Sequence, residues 1–79
     1  MSSRILLVED EPGLRLTLSD RLTMQGYEVI EAADGESGWR KGLEDGVHLV
    51  VLDVGMPRLD GFEVLRRWRA ASIETPVLM

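Results

Sequence analysis

Two apolar runs in this chain stop abruptly at acids. Ile5-Leu6-Leu7-Val8 leads into Glu9-Asp10-Glu11, and Leu49-Val50-Val51-Leu52 leads into Asp53. Each run has the length and continuity of a buried strand bounded by turn residues. A charge is almost never buried unpaired, so the acids belong at the strand ends, where a sheet opens to solvent. In an open parallel sheet, ligands bind at that rim. If the two strands are neighbours, Glu9, Asp10 and Asp53 converge. Left unpaired, they repel and raise one another's pKa values. A divalent cation relieves that repulsion. Mg²⁺ suits oxygen donors and takes one or two carboxylates, with water and phosphate oxygens completing its shell. An Asp beside such a cation can act as a nucleophile toward phosphorus and form an aspartyl-phosphate. Asp53 is therefore the candidate reacting group.

The elements that must position these acids follow in order. The first strand covers 5–8. Pro12 suits the first turn of a helix. Leu14, Leu18 and Leu22 form its apolar stripe, and Gly26 is its expected stop. Residues 27–32 read as a second strand, and Glu28 and Glu31 mark it as a wetter edge. Asp34 can cap a helix that carries Trp39 and Leu43 and ends at Gly46. Gly38 and Gly42, one turn apart, let this helix approach the sheet closely. The third strand spans about 48–53. Asp60 and Glu63 have capping-box spacing, and Leu59 and Val64 stand where a hydrophobic staple forms. Val64, Leu65, Trp68 and Ala71 line one face of the third helix. Residues 72–75 are a loop, and Pro76 opens a last strand. The order βαβαβαβ predicts an α/β fold with an open, mostly parallel sheet and right-handed crossovers. A spatial order of 2-1-3-4 puts the first helix on one face and the other two on the opposite face.

Composition narrows the function. Seventy-nine residues make one domain, 1–79. Nine basic against fourteen acidic side chains give a net charge of -5, which argues against direct binding to nucleic acid or a membrane surface. The absence of Cys excludes disulfides and thiolate metal sites and suits a reducing cytoplasm. No apolar stretch is long enough for a signal segment or a membrane span.

Val8-Glu9-Asp10-Glu11-Pro12, Ala33-Asp34-Gly35, Leu52-Asp53-Val54-Gly55-Met56-Pro57, Asp60-Gly61 and Thr75-Pro76, in this order and spacing, closely resemble the receiver (CheY-like) domains of two-component response regulators. The resemblance implies a flavodoxin-like (CheY-like) fold. It implies that Asp53 accepts a phosphoryl group from a histidine kinase or phosphotransfer protein, in a cytoplasmic phosphorelay that depends on Mg²⁺. Asp10 would bind the metal directly, Glu9 directly or through a metal-bound water, and Gly55 through its backbone carbonyl. Met56-Pro57 would shape the loop beside the site. With no side chain at Gly55, a phosphoryl group on Asp53 would be open to water and comparatively short-lived. Such a chain is a regulated switch more than an enzyme.

The chain departs from the family pattern at its end. The hydroxyl residue after the fourth strand, the fifth strand with its terminal Lys, and the last two helices are not in this sequence, so 1–79 reads as the N-terminal portion of a receiver. Removing one stabiliser of a developing oxyanion costs roughly 10²–10³ in rate. Impaired phosphorylation and switching with surviving Mg²⁺ binding are therefore expected. The first helix alone cannot cover one face of a four-stranded sheet, and the last strand presents an unpaired edge. Self-association through that face or edge is expected. The competing reading is a self-associating structural module without phosphorylation activity. A haloacid-dehalogenase-like phosphatase also uses a strand-end Asp with Mg²⁺, but it wants a second Asp two residues on, where this chain has Gly55.

The remaining conspicuous residues have plainer explanations. Glu11 fits favourable placement at a helix N-terminus. His48 is expected to be structural, and Trp39 and Trp68 to be core. The Arg66, Arg67 and Arg69 group reads as a solvated face. Gly35, Gly38 and Gly42 lack dinucleotide-site spacing.

Overall fold

A computed structural model describes residues 3–44, 46–53, 55–56 and 59–79. The strands Arg4–Val8 (β1), Glu28–Ala32 (β2), Leu49–Leu52 (β3) and Val77–Leu78 (β4) pair in parallel in the order β2-β1-β3-β4. The helices Pro12–Met24 (α1), Gly35–Lys41 (α2) and Gly61–Ala70 (α3) connect them. This is the expected order, with β1 and β3 adjacent at the centre.

Side chains alternate across the sheet, and the two faces differ. Leu6, Val8, Val50 and Leu52 join Ala32, Met56, Val64 and Trp68 in one buried cluster on the side of α2 and α3. Ile5 and Leu7 are buried on the other side, where α1 packs over β1 and β2. Cover on that side fades across the sheet. Leu7 pairs in register with Val51, and Val51 with Leu78. Along this row Leu7 is buried, Val51 half-buried and Leu78 61% exposed.

Helix α1 is rotated from its expected stripe. Arg15, Leu18, Ser19 and Leu22 turn inward, and Leu14 stays 45% exposed. A helix seated over one strand pair buries the side chains above that pair. The small Ser19 holds the buried position.

Helix α2 is shorter than its pattern suggested, ending at Lys41 instead of reaching Gly46. Leu43 N–H donates to Arg40 O and Glu44 N–H to Lys41 O, both at 3.2 Å, so the chain leaves in a tighter turn. Gly38 makes the close approach to the sheet, because a Cβ there would lie 2.7 Å from Val8 Cγ1. Gly42 has a different role. A Cβ there would run into the Trp68 indole, so Gly42 lets α2 meet α3.

Caps set the helix starts. Glu11 accepts the N–H groups of Gly13 and Leu14, Asp34 that of Ser37, and Asp60 that of Glu63. Glu63 does not return the bond to Asp60. Its carboxylate pairs instead with Arg66 at 2.6 Å and Arg67 at 3.4 Å. Only half of the expected capping box forms. His48 is structural, as expected: Nδ1 accepts the Arg4 N–H and the His48 N–H donates to Arg4 O, each at 2.9 Å.

Helix α3 ends in a Schellman turn. Ile73 N–H donates to Trp68 O at 2.9 Å and Ser72 N–H to Arg69 O at 3.1 Å, with Ser72 at φ 63°. Glycine holds that conformation without a Cβ penalty. Ser72→Gly is expected to raise stability by about 0.5–1 kcal/mol, read from the urea midpoint at unchanged slope. A lower midpoint would count against the assignment.

Candidate functional site

The acids sit where two central strands end together. Val8 pairs with Leu52, so Glu9 and Asp53 leave adjacent strands at the same level, and Asp53 N–H donates to Val8 O at 3.0 Å. Glu9 N–H in turn holds Ala32 O on β2 at 3.1 Å. Carboxylate oxygens of Glu9, Asp10 and Asp53 all lie within 4.8 Å of one another. Glu9 is 6% exposed, whereas Asp10 and Asp53 are half-buried at the rim.

The cluster is electrostatically divided. Burial pushes the Glu9 carboxyl above its ordinary range, and the nearby carboxyls of Asp53 and Asp10 push the same way. The Glu11 N–H, 3.1 Å from Glu9 Oε2, offsets part of that rise. Asp53 moves in the opposite direction. Its Oδ1 accepts the Gly55 N–H at 3.0 Å, which holds its carboxyl below the usual range. The group that sequence reasoning marked as the nucleophile is thus held toward its ionised form, while Glu9 is pushed the other way. Among the described residues none of the three acids has a basic partner. Three hard oxygen donors in mutual reach, with no basic partner among the described residues, fit a divalent cation such as Mg²⁺.

These shifts have opposite signs in stability. The unfolded chain gives up the Glu9 proton near pH 4.5, before the folded chain does. Stability therefore falls as pH rises from there through the higher folded value. Asp53 contributes stability above about 3.8, which is lost as pH falls through its lowered value. Glu9→Gln is expected to remove the loss on the alkaline side and leave the acid limb. Urea midpoints measured across pH 3–8 check this, and an unchanged alkaline slope would contradict it.

Gly55 enters the site through its N–H, and its Cα is open: an added Cβ would meet nothing nearer than Asp53 Oδ1 at 3.7 Å. Met56 is buried in the core and anchors the loop. Pro57 lies outside the described residues. At the start of α2, Gly35 packs directly against Leu59, because a Cβ on Gly35 would collide with Leu59 O. Glu11, spent on its cap, stays out of the cluster. Arg15 was missed. Its Nη1 donates to Glu9 O at 2.9 Å, a contact for which the sequence held no signal.

The response regulator receiver domain family matches residues 5–79. The chain belongs to that family. Among curated relatives, the Bacillus subtilis alkaline phosphatase synthesis transcriptional regulatory protein PhoP is 40% identical over 79 residues, which cover the whole of this chain and 33% of PhoP. The chain therefore spans about a third of that relative's length. Among solved structures, Vibrio cholerae chemotaxis protein CheY4 aligns with a TM-score of 0.92 and 34% identity, covering 100% of this chain and 68% of CheY4. Thermotoga maritima response regulator TrrA, solved with Mg²⁺-BeF, aligns at 0.88 and 36%, covering 98% of this chain and 66% of TrrA. TrrA has also been solved with the histidine kinase ThkA. As a receiver of the two-component class, the chain carries its acidic cluster at the carboxyl ends of β1 and β3, the rim where open parallel sheets bind ligands. No helix among the described residues is long and apolar enough to cross a membrane.

Proposed function

We propose that this chain is a Mg²⁺-dependent phosphoacceptor, with Asp53 taking a phosphoryl group from a histidine kinase or phosphotransfer protein. The observation that carries the reading is the convergence of three carboxylates within 4.8 Å, with the Gly55 N–H on Asp53 Oδ1 favouring that carboxylate's ionised form. Glu9, Asp10, Asp53 and the Gly55 carbonyl would hold the cation. The cation supplies the positive charge that lets carboxylates and phosphoryl oxygens share one site. Asp53 Oδ1 is oriented by the Gly55 N–H. In the transfer an Asp53 oxygen bonds to phosphorus as the bond from phosphorus to the donor histidine nitrogen breaks. The Mg²⁺-BeF and kinase complexes of TrrA support both the metal and the partner. In this reading the chain is a regulatory phosphoacceptor in the cytoplasm and no enzyme of the ordinary kind. Its net charge of -5 keeps it off nucleic acid directly, so any DNA-binding output belongs to other parts of the signalling protein.

Intact mass after incubation with acetyl phosphate and Mg²⁺ tests this. A slow, partial gain of one phosphoryl group is expected, in keeping with the impaired phosphorylation expected above, and it should be absent without Mg²⁺ and in Asp53→Ala. No gain in the wild-type chain, or an equal gain in the variant, would overturn the reading.

The exposed end of the Leu7–Val51–Leu78 row favours a second property, self-association. We propose that a second copy covers this face. Burying some 400 Å² of apolar surface is worth about 10 kcal/mol, comparable to a small domain's whole stability. Light scattering at high concentration is expected to give a mass above the monomer's. A compact monomer with cooperative unfolding would exclude it.

A further inference from the structure

Arg15 stands outside the acidic cluster, yet it touches the backbone that carries it. Nη1 donates to Glu9 O at 2.9 Å, and Nε lies 3.5 Å from Glu31 Oε1 on β2. Glu31 is itself held, because its carbonyl accepts from Lys41 Nζ at 2.6 Å. The guanidinium side chain is only 21% exposed. Glu9 O belongs to the peptide group that joins Glu9 to Asp10. A peptide is planar, so fixing the direction of its carbonyl also fixes where the Asp10 N–H and Cα begin. Glu9 N–H is already tied to Ala32 O, and the Glu9 carboxylate to the Glu11 N–H. The carbonyl is the remaining handle.

We propose that Arg15 is a positioning residue that clamps the Glu9–Asp10 peptide and so sets the relative placement of the two carboxylates toward a divalent cation. The inference rests on the metal-binding reading of the same site. A planar guanidinium can donate to Glu9 O and face Glu31 at once, whereas a lysine ammonium is a compact point charge without that fork. Loss of an outer partner that orients a metal ligand typically weakens affinity 10–100-fold.

The test is Mg²⁺ titration by calorimetry on the 79-residue chain, with Arg4→Gln as a matched control. Arg4 makes a similar pair with Glu28 at the far end of β1, at 3.3 Å. Arg15→Gln is expected to weaken Mg²⁺ binding about tenfold or more, Arg15→Lys to fall between, and Arg4→Gln to leave it unchanged. In metal-free protein, the amide resonance of Asp10 should move in both Arg15 variants and stay in place in Arg4→Gln. A merely structural Arg15 would lower the melting temperature but leave affinity and that resonance alone. An Arg15→Gln affinity within twofold of wild type overturns the inference. If Arg15→Gln does not fold, Arg15→Lys and Glu31→Gln decide it, and unchanged affinity in both overturns it. A wild-type chain that binds no Mg²⁺ overturns the reading of the site, and this inference with it.

Discussion

Asp10→Asn is expected to weaken Mg²⁺ binding by at least about 100-fold, beyond the 10–100-fold typical of an outer partner, while making the metal-free chain more stable. The two halves of this result share one cause. Asp10 lies in a cluster of three carboxylates whose oxygens approach within 4.8 Å, and it is one of the groups that raise the Glu9 pKa. Without a cation the charges are a burden on the fold, and removing one should stabilise by roughly 0.5–1 kcal/mol. With a cation the same charge is a ligand. At a Mg²⁺ concentration 100 times the wild-type dissociation constant, linkage stabilises the wild type by about 2.7 kcal/mol. The same concentration stabilises a hundredfold weaker variant by only about 0.4 kcal/mol. For a domain of this size, 1 kcal/mol corresponds to roughly 4–8 °C, so a metal-dependent rise of roughly 10–20 °C should nearly disappear. Melting curves with and without Mg²⁺ read both effects. A variant that keeps the metal-dependent rise removes Asp10 from the site. A variant less stable without metal contradicts the repulsion that the cluster implies.

The parts of the fold legible in the sequence were those governed by short-range rules. Ile5-Leu6-Leu7-Val8 and Leu49-Val50-Val51-Leu52 read as buried strands because continuous apolar runs have few other solutions. Asp34 and Asp60 read as caps because an acceptor three residues before an N–H needs no tertiary help. What escaped depended on partners far along the chain. The end of α2 is shaped by Trp68, twenty-six residues beyond Gly42 in the sequence. Glu63 had the right spacing to close a capping box, but two arginines on its own helix compete for the carboxylate. The rotation of α1 followed from which strands it covers, a property of the sheet and not of the helix. The acids of the site were legible because strand ends are predictable. Arg15 was not, because a donor to a backbone carbonyl six residues earlier leaves no motif.

Trp68→Ala is expected to remove a large share of the chain's stability. Trp68 is 1% exposed at the centre of the buried cluster, and its Nε1–H donates to Trp39 O at 3.0 Å. It thus ties α3 to α2 both by packing and by a directed bond. Truncating a buried Trp to Ala costs about 3–5 kcal/mol, and a chain of this length has roughly 4–12 kcal/mol in all. The same loss would leave the Trp39 carbonyl without its donor. Trp68→Phe keeps most of the apolar volume but not the donor, so it should remain folded at a cost of about 1–3 kcal/mol. Gly42 makes the prediction sharper. A Cβ at this position meets Cε2, Cζ2 and Nε1 of the indole, and Nε1 has no counterpart in a phenyl ring. Gly42→Ala should therefore be strongly destabilising in the wild-type chain and much less so in the Trp68→Phe background. Urea unfolding of the four proteins gives the coupling as a double-mutant cycle, expected to exceed about 1 kcal/mol. Additive costs would mean that α2 and α3 do not meet at this contact.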